Sequence, residues 1–594
     1  MKKYVSLVLF SLLSWAVCAK DFPKVILAGD YPDPTILRDG KDYYMTHSPF
    51  YYAPGFLIWH SQDLEHWEPV CRAMAQWEGS AMAPDLVKYN NRYYIYYPAA
   101  GTNWVIWADD IRGPWSAPKD LKVNGIDPGH VADADGKRYL YLSEGKIVQL
   151  SDDGLSTVGE VKKVYDGWPY PRNWRTEGMY LESPKLNYHN GYYYLTSAEG
   201  GTAGPGTSHM VVTARSKSVL GPWENSPFNP LVHTYSERES WWSRGHGTLI
   251  DDVNGNWWVV YHAYAKGYHT LGRQTLIEPI EWTPDGWCRA KSTGTFPKAE
   301  VPVRHGLKLS DDFQGAELGL QWTFWKEYAP KAATLENRTL RLKAKGKTPA
   351  DGRLLLATAE DKNYETQVEV TVGKNNTAGL LLYYSEKAYA GLVSDGKTFT
   401  VYRHAGQKTE LPNTLGRQFT VRIKNQGNHV SISVGKNEKE WTTLAEGIDV
   451  SGMHHNAYKG FYALRIGLVS IGKGEAAFRR FRYKNAVPQE KDLSAYLMVF
   501  HKDETHGLYM ALSRDGYTFT ALNDGEPVLA GDTIAYQRGI RDPYIYRGPD
   551  GAFYLAMTDL HVFARRDGYR ETEWERDRNM YGWGNNKGCL LYTS

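Results

Sequence analysis

The stretch around Asp33 contains the first side chain whose position suggests chemistry rather than folding. Four aspartates fall within Gly29–Met45. Asp39 begins an Asp-Gly turn and Asp42 follows it, as expected where two strands of a hairpin are joined. Asp33 lies between two prolines, which remove two backbone donors and favour an extended chain, so neither a helix cap nor a hairpin ladder explains an acid there. Asp33 is therefore the first candidate catalytic residue.

Further carboxylates lie in similar settings. Asp127 precedes a proline and repeats the local pattern of Asp33, Asp85 follows a proline, and Glu182 opens the sequence Glu-Ser-Pro-Lys-Leu. An Asp-Pro pair also begins ordinary turns, so a turn role for Asp127 stays open. These acids could exchange protons with a substrate only if the fold brings them into one pocket.

A repeat of about fifty residues predicts the elements that would do so. A turn followed by aromatic residues occurs at Asp39-Gly40 with Tyr43-Tyr44, Asn90-Asn91 with Tyr93-Tyr94, Asp135-Gly136 with Tyr139 and Tyr141, Asn190-Gly191 with Tyr192-Tyr193-Tyr194, and Asn254-Gly255 with Trp257-Trp258. All-β units of this length, each with one hairpin signature, are typical of a propeller. We predict five blades over residues 20–305, with polar residues of the inner strands converging on one pocket.

Composition narrows the class of ligand. The chain has 594 residues, enough for several domains, and a formal net charge of +2 with both signs mixed throughout. This balance argues against a nucleic-acid or polybasic membrane partner and favours a neutral ligand. Aromatic residues make up 14% of the chain, and the four cysteines are far apart, which supports neither a disulfide framework nor a cysteine metal site.

The N-terminus reads as a secretion signal. Residues 1–19 contain two lysines, an apolar run and a small-residue cleavage site, so a periplasmic or secreted product beginning near Lys20 is predicted. A lipoprotein signal ending at Cys18 is the alternative, but Trp15 stands where such signals carry leucine. No other apolar run approaches the ~20 residues needed for a transmembrane segment.

Four motifs together resemble glycoside hydrolase family 43, the five-bladed propeller enzymes that act on β-xylosides and α-L-arabinofuranosides. They are Tyr-Pro-Asp-Pro at 31–34, Gly-Ile-Asp-Pro at 125–128, Glu-Ser-Pro-Lys-Leu at 182–186 and Gly-His-Gly-Thr-Leu at 245–249. The motifs keep the family's order over nearly 290 residues. The resemblance implies an inverting enzyme in which Asp33 is the general base, Asp127 modulates the pKa of the acid, and Glu182 is the general acid.

The reaction explains why three acids are needed. Inverting hydrolysis requires an ionised carboxylate on one face of the sugar and a protonated carboxyl group on the other. A third negative charge near Glu182 would raise its pKa and keep it protonated. Members of the family usually have the motif Glu-Gly-Pro at the general acid. In this sequence Glu177 is followed by the glycine, and Glu182 has the proline two residues later, so either glutamate could be the acid. The distance to the following Asn-Gly turn favours Glu182 over Glu177.

The resemblance extends to binding residues. It implies that Arg273 binds sugar hydroxyls, although a plain salt bridge is an equal alternative, and that His246 lies next to a structural calcium ion or water cluster in the propeller channel, with no cofactor required. A buried structural histidine is the alternative for His246. Trp77 and Trp104, assigned to loops between hairpins, are candidate sugar-stacking platforms, though such residues are more often part of a core.

After residue 305 the sequence pattern changes from the fifty-residue repeat to short alternating strands. Residues 306–485 have short alternating strands typical of a β-sandwich, and their opening resembles the concanavalin-like C-terminal module of family 43 β-xylosidases, which can lend a residue to the pocket rim. Residues 493–594 resemble the first blades of another such propeller, with Asp542 in the place of the base. We predict an incomplete, non-catalytic segment there.

The predicted function is that of an exo-acting β-xylosidase releasing xylose from oligosaccharides during xylan breakdown. An α-L-arabinofuranosidase, or an enzyme with both activities, is the nearest alternative, because the shared motifs cannot separate sugars that differ by single contacts. A non-catalytic carbohydrate-binding protein is the alternative from another class. The sequence is silent on oligomeric state.

Overall fold

The computed structural model describes residues 22–76, 78–301, 303–486, 495–513, 518–548 and 552–564, together with the backbone of 589–593. The chain divides into two compact units, residues 1–486 and 487–594. The first contains a propeller and a sandwich, and it carries the predicted site residues. No described helix is long and apolar enough to cross a membrane.

Five antiparallel sheets form the blades of the propeller. In chain order their strands are Thr35–Asp39, Asp42–Thr46, Gly55–Ser61 and Glu68–Met74; Asp85–Tyr89, Arg92–Ala99, Thr102–Ala108 and Lys119–Asp120; Gly129–Ala132, Arg138–Leu142, Lys146–Leu150 and Thr157–Lys163; Leu181–His189, Tyr192–Glu199, Met210–Ser216, Glu224–Asn225 and Val232–His233; and Trp241–Asp251, Trp257–Ala265, Gln274–Trp282 and Cys288–Ala290. The predicted five-bladed fold is confirmed.

The predicted turns explain why these strands form hairpins. Asn90 and Asn91 have φ of +48° and +59°, and Asn190 and Gly191 have +46° and +80°. Two consecutive residues with positive φ match the twist of the flanking strands, which is why Asn and Gly are favoured there. Most of the aromatic residues after the turns are buried, and Tyr93 meets the edge of Tyr44 of the first blade at 6.3 Å between ring centroids.

The ring is closed by a strand from its own N-terminus. Lys24–Leu27 pairs antiparallel with Gln274–Trp282 of the last blade, and Lys24 lies opposite Ile277. The two ends of the propeller segment thus share one sheet. This pairing covers a strand edge that would otherwise be exposed.

The β-sandwich that follows has one core between two sheets. One sheet contains Thr323–Trp325, Arg353–Ala357, Asn376–Ser385, Ala388–Ser394, Thr398–His404, Gln407–Pro412 and Arg465–Gly472; the other contains Ala333–Glu336, Thr339–Lys343, Asn363–Thr371, Gln418–Gln426, His429–Gly435, Thr442–Asp449 and Glu475–Asn485. Short helical turns are found at Ser143–Gly145, His269–Leu271, Pro330–Ala332 and His455–Tyr458.

Backbone strand pairing and a buried ion pair join the sandwich to the propeller. Tyr52–Ala53, from the first blade's loop, pairs with Phe324 and Trp325 and extends the first sandwich sheet. Arg465 of the sandwich donates from Nη2 to Asp30 Oδ2 at 3.0 Å, and both side chains are buried. A buried ion pair is costly to break, so it fixes the sandwich next to the start of the Asp33 motif.

The second unit contains two three-stranded sheets. Their strands are Tyr496–Lys502, Gly507–Ser513 and Thr520–Ala521, and Ile540–Arg547, Phe553–Asp559 and Cys589–Thr593, with helical turns at Asn523–Gly525 and Gly531–Ile534. Asp542 has φ of +46°, and its N–H donates to His501 Nδ1 at 3.1 Å. Asp542 is exposed.

Candidate active site

A pocket with about 410 Å³ of empty space lies where the inner strands of the propeller begin. Residues from the blades and one sandwich residue line it, and they are Asp33, Phe50, Met82, Ala83, Ile126, Asp127, Glu182, Thr202, His209, His246, Arg273 and Phe461. The structure therefore brings together the three predicted acids, the predicted histidine and the predicted arginine. They converge because Asp33 and Asp127 lie two residues before the first strands of their blades, and Glu182 lies near the beginning of the first strand of its blade. His246 lies within the first strand of the last blade, and Arg273 directly precedes a later strand of that blade.

Asp33 is held in a dense set of hydrogen bonds. Its φ of +55° is unusual for a residue other than glycine, and its N–H donates to His262 Nδ1 at 3.0 Å. Arg273 Nη1 donates to Oδ1 at 2.8 Å, and Ser48 Oγ donates to Oδ2. Burial alone would raise the pKa of Asp33, but the charge of Arg273 and the interactions with His246 and His262 outweigh it and hold the pKa well below its usual range. Asp33 is thus kept ionised.

Asp127 and Glu182 are joined through the backbone. Asp127 Oδ2 accepts a hydrogen bond from the N–H of Ser183, the residue after Glu182, at 3.1 Å. Gly129 makes this approach possible, since a Cβ atom there would lie 1.8 Å from the carbonyl oxygen of Pro184. The third and fourth blades therefore meet in direct backbone contact beside the two acids.

These two acids have pKa values shifted in the direction opposite to that of Asp33. Burial raises the pKa of Glu182, and the negative charges of Asp127 and Asp33 raise it further. Burial and the charge of Asp33 likewise raise the pKa of Asp127. One pocket thus favours an ionised carboxylate and a protonated carboxyl group at the same pH, as acid and base catalysis require.

The two rival glutamates occupy different places. Glu182 lines the pocket, whereas Glu177 is exposed. Glu177 Oε2 accepts from the N–H of Ala203 at 2.7 Å, and its own N–H donates to Ser208 Oγ at 2.7 Å. Glu177 therefore fixes the glycine-rich loop over residues 198–209, and the geometry favours Glu182 as the proton donor.

Arg273 forms the salt bridge considered for it and also reaches the pocket. Its side chain is buried, pairs with Asp33 and lines the pocket. The guanidinium carbon also lies 5.5 Å from the ring centroid of Phe50 and 5.3 Å from that of Phe461. Because the two rings restrict its movement, Arg273 can hold Asp33 and still direct other N–H groups towards a substrate.

His246 contacts Asp33 through one of its two ring nitrogens. Its Nδ1 lies 3.3 Å from Asp33 Oδ1, and His262 Nδ1 lies 3.2 Å from the same oxygen. The three side chains are close enough to hold a metal ion. However, the guanidinium of Arg273 already contacts that oxygen, and a second cation there would be repelled. Burial lowers the pKa of His246 to about 3, so it is neutral. This trio does not suit a metal.

Trp104, one of the two predicted tryptophan platforms, does not line the pocket. Trp77 lies outside the described residues. Trp104 lies in the strand Thr102–Ala108 and not in a loop, so that assignment is wrong; its Nε1 donates to the carbonyl of Ala99 at 3.0 Å and its ring packs against the core between the first two blades. Local sequence did not separate this packing role from sugar stacking, because the aromatic residue types are the same.

Several pocket residues were missed by the sequence analysis. Phe461 belongs to the sandwich, and no local pattern predicts that it would reach the propeller. Its loop is held there because the N–H of Gly204 donates to Asn456 Oδ1 at 3.0 Å and Asn456 Nδ2 donates back to the Gly204 carbonyl at 3.1 Å. His262, a polar residue within the buried strand Trp257–Ala265, was the one detectable signal.

Comparison with known proteins agrees with this geometry. Residues 22–288 match the model for glycosyl hydrolases family 43, residues 310–484 match the beta xylosidase C-terminal concanavalin A-like domain, and residues 491–586 match a probable glycosyl hydrolase domain. A xylan 1,3-beta-xylosidase of a Vibrio species is 30% identical over 430 residues, covering 61% of this chain and 77% of the relative.

Two further proteins match over most of their length. A non-reducing end alpha-L-arabinofuranosidase of Bacteroides ovatus is 28% identical over 80% of this chain and 97% of its own. The crystal structure of a xylan beta-1,4-xylosidase from Bacillus halodurans has a TM-score of 0.70 and 27% identity, and covers 78% of this chain and all of that one.

The five blades and the three converging acids define a propeller glycoside hydrolase. The chain belongs to glycosyl hydrolase family 43, as the matches over both the propeller and the sandwich show. An exclusively carbohydrate-binding protein, the alternative from another class, is therefore set aside.

Proposed function

We propose that this enzyme removes terminal β-D-xylosyl residues from xylo-oligosaccharides with inversion at the anomeric carbon. The observation that carries the proposal is the opposed pKa shifts of Asp33 and Glu182 within one pocket. The names of the Vibrio and Bacillus relatives support the choice of xylose and of the β-anomer, and they differ in the linkage position.

In the proposed mechanism the glycosidic bond breaks and the bond to water forms in a single displacement at the anomeric carbon. Glu182 gives its proton to the glycosidic oxygen as the bond from that oxygen to the anomeric carbon breaks. A water molecule on the opposite face forms the new bond to that carbon and passes a proton to Asp33. The enzyme ends with Glu182 ionised and Asp33 protonated, and exchange with solvent restores both.

The remaining pocket residues would position the sugar. Asp127 keeps Glu182 protonated through its charge and fixes the chain next to it through Ser183. Arg273 would bind hydroxyl groups close to the reacting carbon. Among the described residues, His209 has no hydrogen-bond partner at either ring nitrogen, so this buried, pocket-lining side chain can also serve a sugar hydroxyl.

An α-L-arabinofuranosidase is the second candidate, because the Bacteroides ovatus relative bears that name and is matched over nearly its whole length. The two activities share the acids and differ in single pocket contacts. Rates on 4-nitrophenyl β-D-xylopyranoside and 4-nitrophenyl α-L-arabinofuranoside separate them. Faster turnover of the xyloside supports the proposal, and faster turnover of the arabinoside replaces it.

The stereochemical course tests the mechanism separately. Proton NMR of xylobiose cleavage should show α-xylose as the first product from a β-linkage. β-Xylose as the first product would require a covalent intermediate and would remove water activation by Asp33 from the proposal.

We also propose that the enzyme works in the periplasm or outside the cell. The support is the basic, apolar and small-residue pattern of residues 1–19, which lie outside the described residues. N-terminal sequencing of the protein from fractionated cells should give Lys20 in the soluble periplasmic or secreted fraction. A membrane-bound form lipidated at Cys18 would contradict this.

A further inference from the structure

Lys185 places a positive charge on the propeller axis, directly beneath the acids. It belongs to the inner strand Leu181–His189 and is only 3% exposed. Its Nζ donates to the carbonyl of Pro84 at 2.9 Å, to Asp85 Oδ1 at 3.0 Å and to the carbonyl of Pro128 at 3.1 Å. An ammonium group has three donors, and all three are used.

Asp85 connects this ammonium group to the other blades. Its Oδ2 accepts from the N–H of His130 at 2.7 Å. Thr35 accepts from the N–H of Leu86 at 3.0 Å and lies 3.4 Å from Asp85 Oδ1. The first four blades therefore meet at one ion pair.

A channel continues from this ion pair along the axis. Lys185, Asp85, His130 and Thr248 line it, together with inner-strand residues as far as Arg38 and Asp251 at the ends of their strands. The ion pair thus separates the pocket that contains the acids from the channel. A divalent cation in the place of the Lys185 ammonium group would have to use the oxygen atoms at this junction.

The oxygen atoms at the junction are of the kind that calcium prefers. Two backbone carbonyls and one carboxylate are hard oxygen ligands. Lys185 already contacts all three at hydrogen-bond distance, and a divalent ion within the same set of oxygens would be strongly repelled by the ammonium group. These residues therefore do not fit a calcium ion while Lys185 is in place.

We propose that Lys185 is a built-in cation that replaces a divalent ion at the propeller axis and positions the acids. Pro128 follows Asp127 directly, and Lys185 lies three residues after Glu182 on the same strand. By binding the Pro128 carbonyl, the ammonium group holds the two acid-bearing segments in register. Lys185 is a positioning residue, because it acts through Asp127 and Glu182 rather than on the sugar.

The test compares the full chain with Lys185→Ala and Lys185→Met, and uses Lys88→Met as the control. Lys88 pairs with Asp39 at 2.7 Å, but its side chain is partly exposed and lies away from the acids. Lys88 also lines the channel, but removing it takes away a lysine charge and an ion pair without touching Asp85 or the carbonyls of Pro84 and Pro128. The readouts are kcat, KM and the unfolding temperature, each in EDTA and in millimolar calcium chloride.

Wild type and the control should show the same kcat and unfolding temperature in EDTA and in calcium. Lys185→Ala should lose about tenfold or more in kcat with little change in KM, because the acids lose their register. It should also unfold at a lower temperature, because buried Asp85 loses the positive charge that balances it. In Lys185→Ala, where the space of the lysine side chain is open, calcium should restore part of the lost kcat and part of the lost unfolding temperature. In Lys185→Met the methionine side chain fills that space, so calcium should restore neither.

Two results would overturn the proposal. One is a wild-type enzyme that EDTA inactivates or that calcium stabilises, since a divalent ion would then act despite Lys185. The other is a Lys185→Met variant with wild-type kcat and unfolding temperature in EDTA. If Lys185→Ala does not fold, calorimetric titration of wild type with calcium decides: absence of binding supports the proposal, and saturable binding that Asp85→Asn abolishes overturns it.

Discussion

At the scale of single residues, the environment assigns different tasks to carboxyl groups of the same chemistry. Asp33 contacts a guanidinium group, a hydroxyl group and two imidazoles, whereas Glu182 is withdrawn from water and lies near other acids. The first setting stabilises a negative charge and the second disfavours it. The pairing of acid and base follows from these neighbours.

Glu182→Gln should lower kcat on xylobiose by about 100-fold or more, because general acid catalysis is lost. The loss should be much smaller for 4-nitrophenyl xyloside, whose leaving group needs little protonation. Initial rates on the two substrates measure the difference. Glu177→Gln is the matched control and should keep near-wild-type rates on both; a loss in that variant equal to the loss in Glu182→Gln would transfer the acid role to Glu177.

The pH profile of kcat/KM should have widely separated limbs. Activity requires ionised Asp33, whose pKa is lowered, so the acid limb should lie at lower pH than an ordinary aspartate would give. It also requires protonated Glu182, whose pKa is raised to about 8. Activity should therefore persist at neutral pH and be lost as the pH rises through about 8.

Asp127→Asn provides the internal check on the alkaline limb. Removing the negative charge of Asp127 should lower the pKa of Glu182, so the alkaline limb should move to lower pH while the acid limb stays in place. The same steady-state profile measures both. An alkaline limb that does not move would show that burial alone sets the pKa of Glu182.

At the scale of elements, the site depends on how closely two blades approach. The strand that begins at Gly129 contacts the backbone of Pro184 because the glycine has no Cβ atom. The hydrogen bond from the Ser183 N–H to Asp127 crosses the same interface. Blade packing therefore sets the relative position of the acids.

Gly129→Ala should destabilise the protein by about 3 kcal/mol and lower kcat, because the added methyl group would overlap the Pro184 carbonyl. Denaturant unfolding and steady-state rates measure the two effects. Gly452→Ala is the control, since a Cβ atom there would meet nothing within 4 Å. Equal stability of the two variants would contradict this account of the interface.

At the scale of the whole molecule, the sandwich completes a site whose chemistry lies in the propeller. Phe461 remains 37% exposed at the pocket and stacks on Phe50 with ring centroids 6.3 Å apart. A partly exposed aromatic side chain in this position is suited to cover a sugar. A wall at this point would favour action on chain ends rather than within chains.

Phe461→Ala should raise KM for xylobiose by about tenfold, because apolar contact with the sugar is lost. The unfolding temperature should change little, since the side chain is partly exposed. Steady-state kinetics and thermal unfolding measure the two effects. Tyr328→Ala, which removes another exposed aromatic residue of the sandwich, is the control; if both variants keep the wild-type KM, Phe461 does not contact the substrate.

The sequence by itself determined the propeller and the three acids. Its turn residues specify hairpins locally, since Asn and Gly accept positive φ, and the spacing of those hairpins repeats. Asp33, Asp127 and Glu182 could be found because each lies in a proline-containing motif near a hairpin, and because those motifs together resemble glycoside hydrolase family 43. The same local logic did not distinguish Trp104 in a blade from a tryptophan in a loop.

Only the tertiary structure decided which groups surround those acids. Arg273 and His262 contact Asp33 from more than 200 residues away, Lys185 meets the second and third blades at the axis, and Phe461 arrives from another domain. Such contacts depend on how blades and domains pack, which short-range periodicity does not encode. Electrostatic tuning of the site is therefore a property of the closed ring, because every charge that shifts a pKa here reaches it through packing.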